Sequence, residues 1–269
     1  MKIDYFIAWL AQGFLIIALV SGIPIAFEYY PAKAFDSLQR ITHILPYGGF
    51  LRSLHYFSSQ LLLLFIVLHV VVELYMYPKK SCRDVDFSFG AIAAVVVVFL
   101  LFSGYVLKAD QNGQSAALVS QNMLADSRIF KWAVVFFKDG AVFYWRFFLW
   151  HAIILPLFLV YPLFLHSKRI TARMEFVVVS LALSLLAVFV FKMPYDVPFG
   201  MAVGHLSGPW FFEGVENMLK LNVDVDLAMF AGFFPFVVLF LYKRLCRFRF
   251  WLNLLLFIWM VAYAAISLV

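Results

Sequence analysis

Residues 48–72 read GGFLRSLHYFSSQLLLLFIVLHVVV, a run that carries one formal charge, Arg52, and two histidines, His55 and His69. A bilayer core about 30 Å thick calls for about 20 consecutive apolar residues in a helix, and this run supplies them. An ionisable side chain inside such a helix is costly and is retained for function by default. The two histidines are 14 residues apart, which is about four helical turns and roughly 21 Å of rise, so both rings leave nearly the same face at two depths. A second stretch repeats the pattern: RFFLWHAIILPLFLVYPLFLH, residues 146–166, sets His151 and His166 15 residues apart.

The rest of the chain has the same character. Of its 269 residues 65% are hydrophobic and 13% charged, with a mean hydropathy of +0.94, whereas soluble domains are about half apolar and a quarter charged. A water-soluble fold is excluded. Aromatic residues reach 20%, including 33 Phe, more than the interior of such a chain can hide, so many must face lipid or a large apolar ligand. Two cysteines, Cys82 and Cys246, do not make a C-x-x-C-H haem attachment or a cysteine-ligated iron–sulfur cluster.

Seven segments reach or approach spanning length, roughly 5–27, 54–77, 88–107, 142–166, 174–192, 228–245 and 250–268. The expected fold is an all-α polytopic membrane protein whose first four spans, in residues 1–170, form one bundle, with a three-helix part over 171–269. The N-terminal stretch is apolar for longer than a signal-peptide core and has no small-residue cleavage pattern, so it reads as a retained first span. Short loops 78–87, 167–173 and 243–249 are dense in Lys and Arg, while 28–53, 108–141 and 193–227 mix both signs. The positive-inside rule then puts the N-terminus in the cytoplasm and the long loops outside. The net charge of +6 speaks of topology and anionic lipid, not of nucleic acid.

With that topology the second and fourth spans run in the same direction. His55 and His151 share the outer level, and His69 and His166 the inner one. A lone membrane histidine is often only a satisfied polar residue, but two pairs at matched depth describe two bis-imidazole iron sites, and so two b-type haems. Zinc or copper sites would want clustered ligands a few residues apart. The interval of 15 turns His166 about 60° from His151 on an ideal helix, and Pro156 and Pro162 offer a kink to realign them. Gly90 and Gly104 repeat the 14-residue interval on the third span, as Ala8 and Gly22 do on the first. Small residues at these places suit a flat porphyrin face or, alternatively, ordinary helix packing. Arg52, one turn before His55, suits a haem propionate or an interfacial anchor. The other two histidines, His43 and His205, fall in outside loops.

Four stretches carry a resemblance: SGIPIAFEYYP at 21–31, GGFLRSLHYFSSQLLLLFIVLHV at 48–70, FSGYVLKADQ at 102–111, and the 146–166 run. Together they resemble the cytochrome b subunit of quinol-oxidising bc-type complexes, with the 15-residue interval looking like the photosynthetic and menaquinol-type branch. The resemblance implies two haems, quinone as substrate, iron–sulfur or c-type cytochrome partner subunits, a dimer, and an energy-transducing membrane.

Departures from the family pattern are local. Lys108 and Ala109 stand where Pro-Trp is usual, before Asp110 and Gln111 resume it. The family's amphipathic helix pair is hard to find in 112–141. Its Pro-Glu-Trp-Tyr motif is replaced by GPWFFEG at 208–214, with no Glu before Trp210. Val72, beside Glu73, replaces an arginine expected one turn after the inner ligand, leaving Lys79 or Lys80 for the inner propionates, and seven spans are expected where the family usually has eight.

The expected function is an electron path between quinone and partner redox subunits. Asp110, Tyr105, Trp210, Glu213 and Glu216 are the outer quinone-site candidates, and Lys168 and Arg169 the inner ones; as loop acids and topology charges respectively, these residues also have ordinary explanations. A relay anchor serving a hydrogenase, formate dehydrogenase or multihaem cytochrome is one rival. A haem-free transporter is another, although no broken helix or inverted repeat supports it.

Overall fold

A computed structural model describes residues 3–77, 87–138, 140–168, 173–201 and 208–268. Its helices, in chain order, are α1 (Ile3–Glu28), α2 (Ala34–His43), α3 (Gly48–Met76), α4 (Phe87–Leu107), α5 (Gln111–Asp126), α6 (Phe143–Ser167), α7 (Met174–Val190), α8 (Glu213–Lys220), α9 (Val225–Leu241) and α10 (Arg249–Ser267). Five of the seven expected spans are helices long and apolar enough to cross a membrane, the last of them counted from Cys246. The other two, α7 and α9, have 17 residues each, at the short end of spanning length. The backbone turns extended at Phe191, short of Pro194, and α7 stops there. An Asp224 side chain caps α9 by accepting from the Asp226 and Leu227 N–H groups.

The long loops contain helices that lie between the spans. In α2 the buried residues are Ala34, Ser37, Leu38 and Ile41, the i, i+3, i+4, i+7 stripe of a helix lying on a surface. The segment 112–141, where a helix pair was hard to see, holds most of α5 and a 3-10 turn at Lys131–Phe137. Only small residues of α5, Gly113, Ala116 and Ala117, are buried, which is why hydrophobic periodicity did not reveal it.

Packing sets the two histidine helices, α3 and α6, on different partners. Helix α1 packs on α3, α4 packs on α6, α7 closes on α1 and α3, and α9 on α4. Among the described residues α3 and α6 share no extended packing surface; their facing sides are bridged by histidines. Three apolar clusters fill the bundle at successive depths. One joins Tyr29, Leu38, Phe102, Val106 and Phe147 beyond His55 and His151. A middle one joins Leu10, Phe14, Leu62, Val97, Leu155 and Leu159, all between the two histidine levels in sequence. The third joins Leu74, Phe87, Leu239, Tyr242 and Leu256, where Asn253 ties α10 to α3 by donating to the Leu74 carbonyl at 2.9 Å and accepting from Tyr242 at 2.8 Å.

Candidate haem and quinone sites

The four histidines meet in the two pairs expected. His55 and His151 have ring centroids 6.0 Å apart with planes crossing at 79°; for His69 and His166 the values are 6.2 Å and 77°. A metal–imidazole bond is about 2 Å long and the ligating nitrogen lies about 1.1 Å from its ring centre, so two imidazoles on opposite sides of one metal have centroids about 6 Å apart. Both pairs have that separation. Neither is close enough for a direct hydrogen bond between rings, and a residue set of two imidazoles per level is the donor set of a bis-histidine haem.

Two of the rings are aimed from behind. The carbonyl of Ala18 lies 2.8 Å from His55 Nδ1, and that of Leu100 lies 3.0 Å from His151 Nδ1. A carbonyl only accepts, so Nδ1 carries the proton in both rings and the Nε2 lone pair is left for a metal. Ala18 and Leu100 each sit one turn before a glycine, Gly22 and Gly104. A Cβ built on Gly22 would come within 3.0 Å of the His55 ring, and on Gly104 within 2.8 Å of the His151 ring; Gly90 stands in the same relation to His166, at 2.8 Å. The glycines therefore make room for the imidazole itself, which must lie against the neighbouring helix to reach its carbonyl. That adds a third role to the two expected of them, clearing a porphyrin face or ordinary helix packing.

The odd interval on α6 has a local solution. Residues Trp150–Ile154, which include His151, form a π turn, with the Leu155 N–H bonded to the Trp150 carbonyl five residues back. A π turn accommodates one extra residue without advancing the helix face, so 15 residues on α6 do the work of 14 on α3. Pro156 follows directly and has no N–H; its ring would crowd the carbonyl four residues earlier, and the wider turn relieves that contact. A kink at Pro156 and Pro162 was the expected device, and the π turn stands directly before Pro156.

Arg52 does not stand free at the lipid interface. It is buried and paired with Asp196, which accepts from both of its terminal nitrogens, one of them at 2.7 Å. Thr42 accepts from the same guanidinium at 2.9 Å, Gln39 donates to Asp196 at 3.2 Å, and Lys108 Nζ lies 3.6 Å from it. Burial alone would push the Asp196 carboxyl up; the Arg52 hydrogen bonds and charge, helped by Lys108 and Gln39, outweigh burial and hold it below its ordinary value. Lys108 also pairs with Asp110 at 2.7 Å. Asp110 is fully buried and caps α5 by accepting from the Gly113 N–H at 2.8 Å. Two cations and two carboxylates thus neutralise one another near the His55 end of α3. Sequence reasoning missed Asp196, Gln39 and Thr42, because their importance comes from contacts between distant segments.

The GPWFFEG segment docks on the same end of the bundle. Phe212 packs edge-on against Phe102 of α4 at 5.5 Å, and the Trp210 ring N–H donates to Gln60 of α3 at 2.7 Å. Glu216 of α8 is half-buried and accepts from the Gly208 N–H at 3.2 Å. Burial, with the nearby Glu213 charge, holds its carboxyl above the usual range against the opposing pull of the Gly208 N–H and Lys220. Tyr105 lies within electrostatic reach of Asp110, Glu216, Tyr56 and Glu213. The outer-site candidates named from sequence are therefore gathered, with Asp110 occupied as a cap and ion-pair partner. At the other end Lys168 is exposed, with its N–H on the Phe164 carbonyl. Arg169, Lys79, Lys80 and His205 lie outside the described residues.

Comparison with known proteins follows this geometry. The family model described as cytochrome b/b6/petB matches residues 1–174. A cytochrome b6 of Heliobacterium modesticaldum is 31% identical over 121 residues, 44% of this chain and 57% of that relative. A cytochrome b6 of Heliomicrobium gestii is 33% identical over 106 residues, 39% of this chain and 50% of the relative. The chain thus spans little more than half the length of these relatives. In fold it is similar to a chain of a hyperthermophilic respiratory Complex III, with a TM-score of 0.80 at 20% identity, covering 100% of this chain and 84% of that one.

The Arg52–Asp196 pair yields a test. Arg52→Met leaves a buried carboxylate without its main counter-charge, a change that costs about 3 kcal/mol, expected as a lowered unfolding temperature of the purified protein at neutral pH. A carboxyl held low when folded stabilises fully above its ordinary 3.8, and that stabilisation fades as pH falls through the folded value. The gap between wild type and variant should therefore close on acidification, and Asp196→Asn in the Arg52→Met background should recover part of it. An equal gap at all pH values contradicts the assignment.

Proposed function

The chain belongs to the cytochrome b/b6 family, and from that premise we propose that it is a dihaem cytochrome b, a quinol:acceptor oxidoreductase subunit carrying electrons across the membrane between quinone and partner redox subunits, as in a bc-type complex. The observation that carries this reading is the pair of imidazole couples, 6.0 and 6.2 Å between centroids. Bound there, b-type haem would supply a one-electron Fe(III)/Fe(II) couple at each of two depths. His55 and His151 are its ligands at the outer level, and His69 and His166 at the inner level.

The chain's own residues supply position and environment. Ala18 and Leu100 fix two of the ligand rings through their carbonyls. Phe14, Leu62, Val97 and Leu159 keep the layer between the levels dry and set the distance an electron must cover. Residues 1–170 hold the cofactors, and 171–269 bring in the segment that closes the outer end. Arg52 and Lys108 supply positive charge near that end, already shared with Asp196 and Asp110.

At the outer pocket Glu216 is the proton acceptor for quinol. It is half-buried, and a carboxyl held high by burial releases and takes a proton closer to neutrality than a solvated one does. Trp210, Glu213 and Tyr105 border it, and Asp110 holds α5 in place beneath. Lys168 and Arg169 are the inner-site cations. An iron–sulfur or c-type cytochrome subunit takes electrons at the outer side, since neither group has a binding motif here. The positive loops put the N-terminus in the cytoplasm of an energy-transducing membrane.

Two measurements test this. The purified protein should show a b-type band in its reduced-minus-oxidised spectrum and two haems per chain; His55→Ala or His151→Ala should remove one, and His69→Ala or His166→Ala the other. No b-type band, or a haem count unmoved by all four variants, contradicts the proposal. For the outer pocket, Glu216→Gln should slow quinol-driven haem reduction by about 100-fold. Because an acceptor works deprotonated, the wild-type rate should rise with pH through the raised Glu216 value, and the variant should lose that rise. A relay without quinol oxidation at this side is favoured by Pro209 standing directly before Trp210 and by the commitment of Trp210 to Gln60; it would show as a Glu216→Gln variant indistinguishable from wild type.

A further inference from the structure

One hydroxyl stands beside a ligand ring of the outer level. Ser103 precedes Gly104 on α4. Its Oγ lies 3.1 Å from His151 Nδ1 and 3.0 Å from the Leu100 carbonyl, and the residue is buried. The carbonyl only accepts, so the serine hydroxyl donates to it. His151 Nδ1 carries its proton, so it only donates, and the serine oxygen is left to accept. The His151 N–H is therefore shared between two acceptors, the Leu100 carbonyl and Ser103 Oγ.

Its partner ligand is held differently. The N–H of His55 goes to the Ala18 carbonyl at 2.8 Å. Ser21 stands before Gly22 as Ser103 stands before Gly104, but the Ser21 hydroxyl turns to the Ile17 carbonyl at 2.7 Å and reaches Ala18 at 3.2 Å. At the other level the residue before Gly90 is Phe89 and the one before Ala8 is Ile7, so neither small-residue step offers a hydroxyl. The Ser–Gly step is thus a feature of the outer level, where the Ser103 hydroxyl lies beside a ligand ring and that of Ser21 turns to its own helix.

We propose that Ser103 sets the reduction potential of the iron held by His55 and His151, and of that iron only, by accepting a share of the His151 N–H. A hydrogen bond accepted from the far nitrogen makes an imidazole a stronger donor. A stronger donor favours the oxidised metal, which carries the greater charge, and lowers the potential. Ser103 is a positioning and tuning residue that acts through His151. This inference rests on the proposed dihaem reading.

The test is a redox titration of the purified protein followed at the b-type band, comparing wild type with Ser103→Ala and Ser103→Thr. A neutral hydrogen bond is worth about 0.5–1.5 kcal/mol. Only the difference in its strength between the two oxidation states counts, so its loss should change the oxidised-to-reduced ratio at fixed potential by at most about tenfold, or about 60 mV for a one-electron couple. In Ser103→Ala one of two components should move upward within that limit and the other should stay; Ser103→Thr, which keeps the hydroxyl, should restore the wild-type curve. Movement of both components together, movement downward, or no movement overturns the inference while leaving the haem reading intact. Loss of the b-type band from wild type itself would instead overturn that reading. Should Ser103→Ala fail to retain haem, Ser103→Cys, with its weaker acceptor, provides the same comparison and should give a smaller upward shift.

Discussion

An imidazole that must hold a metal at a fixed depth in a membrane needs its back nitrogen satisfied, because no water is there to do it. The nearest available acceptor is a main-chain carbonyl of the adjacent helix, already engaged in that helix's own hydrogen bond but with a second lone pair free. Reaching it requires the ring to lie flat against the helix backbone, which only a missing side chain permits. The contacts of His55 with Ala18 and Gly22, and of His151 with Leu100 and Gly104, are this one solution used on two helices. The pairing of α1 with α3 and of α4 with α6 follows from it.

The same constraint explains the backbone of α6. His151 and His166 both lie against α4, at Gly104 and Gly90, so their angular relation is fixed by the fold and not by the number of residues between them. Helix α3 meets it with 14 residues of regular helix. Helix α6 has 15 and meets it with a π turn at Trp150–Ile154, next to a proline that could not have completed an ordinary turn.

Much of this was legible in the sequence because it is periodic. Apolar runs gave the spans, the repeated interval gave the histidine pairs and their depth, and the same interval picked out Gly90 and Gly104. Three kinds of feature were not legible. The α5 helix buries only glycine and alanine, so it has no apolar stripe to read. The π turn leaves no mark on composition, and Pro156 suggested a kink instead. The Arg52–Asp196 pair joins residues 144 apart in the chain, and nothing local in the sequence around Asp196 announces it. That pair also adds to the two roles expected of Arg52, propionate partner or interfacial anchor, a place in a neutral cluster that fastens the 192–201 segment to α3.

The central claim is that each of two irons is gripped by two imidazoles of this chain, with ring planes crossing at 79° and 77°. Electron paramagnetic resonance of the fully oxidised protein reads this directly. Crossed imidazole planes leave the metal orbitals that mix with the rings nearly equal in energy, so the account predicts two strongly anisotropic low-spin ferric signals and no high-spin signal. A high-spin signal from iron lacking one imidazole, or low-spin iron at a single site only, would contradict it.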